Sequence, residues 1–139
     1  MDIKNLILIL LSSLFFSSQS YSEPFVAGLK AMDREHYATA FRAWKGLADS
    51  GEAEAQNNLG YLYQHGYGAK QSYTRAIHFY TMAAEQGLPE ASHNLGMLYF
   101  NGYGQPQNYD QAKRYFPVSY THLRAHETRG NLVCRLLLE

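Results

Sequence analysis

Four histidines, His36, His65, His78 and His93, precede Phe116 and could in principle ligate a metal or move a proton. Their spacing serves neither purpose. A zinc site draws on His-x-x-x-His along one helix face, or on tight Cys/His pairs, and neither pattern occurs. Each reads as a turn or surface residue; His65 falls at a predicted helix C-terminus, where the dipole favours a cation. Asp33 and Glu35 share one turn and read as capping and solvating it, not as paired acids. Gly66-Tyr67-Gly68 is glycine-rich but lacks the Gly-Lys-Ser/Thr of a phosphate loop and follows a helix, not a strand. Ser50, Ser72 and Ser92 sit near predicted helix starts and assemble no Ser/His/Asp set. The expectation is a chain with no catalytic, cofactor-binding or metal-binding residues, and not an enzyme.

The elements that would position any site are repeated. Residues 51–80 align without a gap on residues 87–116, a step of 36 residues from Gly51 to Gly87, with about half the positions identical. Glu54/Glu90, Asn58/Asn94, Leu59/Leu95, Gly60/Gly96, Tyr67/Tyr103 and Gln71/Gln107 belong to the shared frame. A fixed period of this size marks stacked supersecondary units. Within each period, Ala55, Leu59, Leu62 and Tyr63 fall on one face of a helix over residues 53–64. Gly66 stands where a left-handed cap is wanted. Ser72 and Asn108 are good N-cap residues for the second helix, residues 73–86 in the first copy. That second helix recurs three times, as Tyr37/Tyr73/Tyr109, Ala40/Ala76/Ala112 and Trp44/Tyr80/Phe116. Its aromatics, at i and i+7 with Ala between them, read as core packing. Gly60 and Gly96, each costing roughly 1 kcal/mol of helix propensity relative to Ala, imply close approach of a neighbouring helix. Gly28 precedes Ala40 by a shorter interval than Gly60 precedes Ala76, so the first unit is a hairpin with a shorter turn.

Both ends depart from this pattern. Lys4, an apolar run over residues 6–16 and a small-residue zone make a tripartite signal peptide over residues 1–22, with cleavage near Ser22 and a mature start near Glu23. The run is too short to span a bilayer, which takes roughly 20 residues. After Phe116 the repeat stops. Residues 117–139 back-translate to two fixed strings resembling a transposon-type sequencing adapter, and are read as a non-native tail that cuts the second repeat mid-helix. The chain's one cysteine, Cys134, lies in that tail. Lys and Arg total 12 against 12 Asp and Glu, well mixed along the chain. No basic stripe offers itself to nucleic acid, and no basic amphipathic helix to a membrane surface.

The run Ala55-x-x-Asn58-Leu59-Gly60-x-Leu62-Tyr63-x-x-Gly66-Tyr67-Gly68, followed by Tyr73-x-x-Ala76-x-x-x-Tyr80-x-x-Ala83-Ala84-Glu85-Gln86-Gly87, resembles a Sel-one-like repeat, a branch of the tetratricopeptide-like superfamily. The resemblance implies an all-α fold, an α-solenoid of antiparallel helix pairs. It divides the chain into a tetratricopeptide-like hairpin over residues 23–50, a first repeat over 51–86 and a truncated second repeat over 87–116. Cysteine-rich secreted members of the family carry paired cysteines in each repeat, and this chain has none there. For function the resemblance implies a protein-interaction scaffold or adaptor, here exported to the periplasm or beyond. The alternative is the non-catalytic repeat region of a truncated envelope hydrolase or enzyme accessory protein. Expected partners are a protein or peptide, with a cell-wall component as a further candidate; no nucleic acid, cofactor or membrane span after cleavage is expected.

In such stacks the first helix of each pair lines the concave face. Its positions that differ between copies are Asn57/His93, Tyr61/Met97 and Gln64/Phe100, spaced i, i+4 and i+7 on one face. These six are the candidate protein-binding residues. The competing expectation is that Met97 and Phe100 pack against a following repeat.

Overall fold

The computed structural model describes residues 21–123, with side chains over residues 21–116. The signal-peptide reading of residues 1–22 falls almost wholly outside them, as does most of the tail at 117–139. Among the described residues there are six helices and no strand: α1 (Glu23–Asp33), α2 (Tyr37–Asp49), α3 (Ala53–His65), α4 (Tyr73–Glu85), α5 (Pro89–Asn101) and α6 (Tyr109–Leu123). Each helix packs chiefly on its neighbours in the chain. With short connections, that order gives antiparallel pairs stacked into an α-solenoid. The α6 backbone continues past Phe116 to Leu123.

Close packing inside each pair rests on glycine. A Cβ on Gly28 would lie 2.2 Å from the Trp44 indole, one on Gly60 2.8 Å from the Tyr80 ring, and one on Gly96 2.6 Å from the Phe116 ring. The three contacts show that Gly28, Gly60 and Gly96 are equivalent positions, and they account for glycine in mid-helix. The aromatic stripe is core, since Trp44, Tyr80 and Phe116 are all buried.

The connections inside the two full repeats share one design. Gly66 (φ 73°) and Gly102 (φ 71°) end α3 and α5 in the left-handed region. The next N–H, of Tyr67 or Tyr103, donates to the carbonyl of Leu62 or Leu98 at 2.9 and 3.1 Å, a Schellman closure. Gln71 and Gln107 then donate to the carbonyls of Gln64 and Phe100, satisfying end groups that the helix leaves open. The loop leans on the preceding unit. Tyr67 stacks on Tyr37 with centroids 4.2 Å apart, and Tyr103 on Tyr73 at 5.0 Å. A Cβ on Gly68 would lie 2.5 Å from the Tyr37 carbonyl oxygen, so the loop can rest on backbone only as glycine. The first unit has no such loop; Glu35 takes the left-handed conformation instead (φ 57°).

Candidate functional site

The frame residues are occupied in stacking, so a functional surface has to come from positions the stack does not use. The six candidates on α3 and α5 do not form one surface. Gln64 turns inward: its Oε1 accepts from the Tyr80 hydroxyl at 2.9 Å. Burial pushes the Tyr80 hydroxyl well above its ordinary pKa, keeping it protonated as the donor. Met97 and Phe100 pack on Ala112 and Phe116 of α6, with Phe100 edge-on to Tyr109 at 5.5 Å. Part of their apolar surface is therefore used within their own helix pair. His93 is half-buried with its ring 6.0 Å from Phe116. Its Nδ1 has no hydrogen-bond partner, and burial lowers its pKa.

Of the six, only Tyr61 is exposed; the other five are half-buried. Tyr61 is 39% exposed and leans on His65 and Tyr67 at 4.3 and 6.2 Å. Asn57 is half-buried, and its Oδ1 accepts from the Asn94 amide of the next repeat at 3.0 Å. That bond leaves the Asn57 NH₂ as a donor.

Asn57 also borders a cleft of about 480 Å³ among the first helices of the three units. Phe25 and Leu29 of α1 form one wall, with Tyr21 just ahead of that helix. Glu54, Asn57 and Asn58 come from α3, and Leu88, Pro89 and Glu90 from the entry to α5. The position of this cleft follows from the frame. Aligning Gly28 with Gly60 makes Phe25 the counterpart of Asn57, and Val26 the counterpart of Asn58. Between α3 and α5, Asn94 reaches an amide on the preceding helix. One unit earlier, Asn58 meets a phenylalanine position, and among the described residues its amide makes no side-chain hydrogen bond. The junction stays open.

Sequence reasoning missed most of this lining. Glu54 and Asn58 recur as Glu90 and Asn94, and recurrence makes a residue look architectural. The signal that could have found them is the Gly28/Gly60 alignment, which sets Phe25 where the other first helices carry Asn57 and His93. Gln56 was missed too. Only 1% exposed, it donates to the Ala48 carbonyl at 3.2 Å and accepts from Gln86 at 2.7 Å, joining α2, α3 and the end of α4.

Among the described residues no three His, Cys, Asp or Glu converge on a metal-sized site, and no helix is long and apolar enough to cross a membrane. The volume of the cleft falls within the range of about 300–1,000 Å³ usual for ligand sites.

The repeat profile of a known family, the Sel1 repeat, matches residues 53–88 and 89–116. Among solved structures, a Sel1 repeat protein from Oxalobacter formigenes superposes with a TM-score of 0.68 at 27% identity, over 73% of this chain and 41% of its own. A protective antigen present in uropathogenic Escherichia coli strains, displaying an SLR fold, superposes with a TM-score of 0.68 at 31% identity, over 71% of this chain and 22% of its own. This chain spans less than half the length of either protein. No curated protein matches it significantly. The chain carries two successive Sel1 repeats, over residues 53–88 and 89–116, in an all-α solenoid of antiparallel helix pairs.

Proposed function

We propose that this chain is an exported interaction module, a scaffold or adaptor of the cell envelope that engages a protein partner through the first helices of its units. Sel1 repeats commonly mediate protein–protein interaction. The observation that carries the reading is the division of labour among side chains. The repeated glycines, leucines and aromatics are taken up in the stack, while Tyr61, Leu29 and the cleft between α1 and α3 are left on the face of the first helices. Export rests on the tripartite N-terminus and on the start of α1 at Glu23, the residue read as the mature N-terminus.

Mass spectrometry of the protein from fractionated cells tests export: an N-terminus near Glu23 in the periplasm or medium is expected, and an intact Met1 in the cytosol contradicts it. Affinity capture after in-cell crosslinking tests the adaptor role. A discrete partner lost on Tyr61→Ala, with the melting temperature kept, supports it; a folded protein that captures nothing contradicts it.

A second reading makes these repeats the non-catalytic part of a longer envelope hydrolase or accessory protein. In its favour, the two solved Sel1-type structures come from chains more than twice as long as the matched part. A nucleophile or metal cluster in sequence continuous with the repeats in the genome would support it.

A further inference from the structure

We draw no further inference here: the strongest candidate, the surface cluster of Tyr37, Tyr61, His65 and Tyr67 where the loop after α3 leans on the start of α2, carries none because nothing in the structure shows what covers it.

Discussion

The two junctions along the first-helix face are built on one frame and end differently. Between α3 and α5, Asn94 donates to Asn57 and closes the seam. Between α1 and α3, the position matching Asn57 is Phe25, and the seam opens into the cleft. The helix pairs show a second contrast. In the first repeat the pair is tied by a polar bond, Tyr80 to Gln64; in the second, Phe116 and Phe100 replace both partners at once. The frame sets where units sit, and paired substitutions at a few positions set what each junction presents.

The largest expected effects come from breaking the frame that both repeats share. Gly68→Ala combines a left-handed φ with a clash on the Tyr37 carbonyl and should destabilise by about 2–4 kcal/mol. Gly104→Ala should cost a similar amount in thermal melts, because it too has a left-handed φ and its nearest neighbour, the Tyr73 Cβ at 2.6 Å, is fixed to the backbone. Leu59→Ala and Leu95→Ala empty sites of equal burial, and each should cost about 2–5 kcal/mol. Denaturant titration showing either leucine near neutral would mean that the repeats do not share one core register.

Smaller changes sharpen the contrast between the helix pairs. Tyr80→Phe strands the Gln64 oxygen and should cost about 1–2 kcal/mol. Adding Gln64→Leu should recover part of that loss, since removing both partners is milder than removing one. Phe116→Tyr brings a hydroxyl to a site whose partner is Phe100 and should destabilise, although it makes the second repeat resemble the first.

The smallest effect is a pH dependence confined to the second repeat. His93 is held below its ordinary pKa by burial, so the unfolded chain takes up the proton first as pH falls. Stability therefore decreases as pH drops through the unfolded-state value near 6.5 and levels off below the folded one. His93→Asn, which copies the first repeat, should flatten that part of the profile. A slope unchanged in the variant would assign it to other groups.

Much of the fold was legible in the sequence because its determinants repeat. Gly60 and Gly96 announced close packing, Gly66 and Gly102 the helix ends, and the Trp44/Tyr80/Phe116 stripe the core; all are where that reading put them. Within the stretch read as a hairpin with a shorter turn, the structure has α1 (Glu23–Asp33) and α2 (Tyr37–Asp49). The surface was harder to read, because helical phase fixes a residue's face but not its partner. Gln64, Met97 and Phe100 share a face with Tyr61, yet long side chains at the helix edge reached across to α4 and α6. The cleft depends on a mismatch between α1 and α3, and a comparison of the two full repeats with each other does not contain it. The expectations for residues 1–22 and 117–139 concern processing and sequence origin, on which packing is silent; resequencing the locus should replace the tail with the remainder of a second repeat.

The central claim is that the first-helix face, opened at the α1–α3 junction, is where a partner sits. The most direct measurement is photocrosslinking in cells, with a benzophenone amino acid placed at Leu29 in the cleft or at Thr74, exposed on α4. The account predicts a discrete crosslinked product from the Leu29 position, absent from the Thr74 position. A product from Thr74 alone, or identical products from both positions, would contradict it.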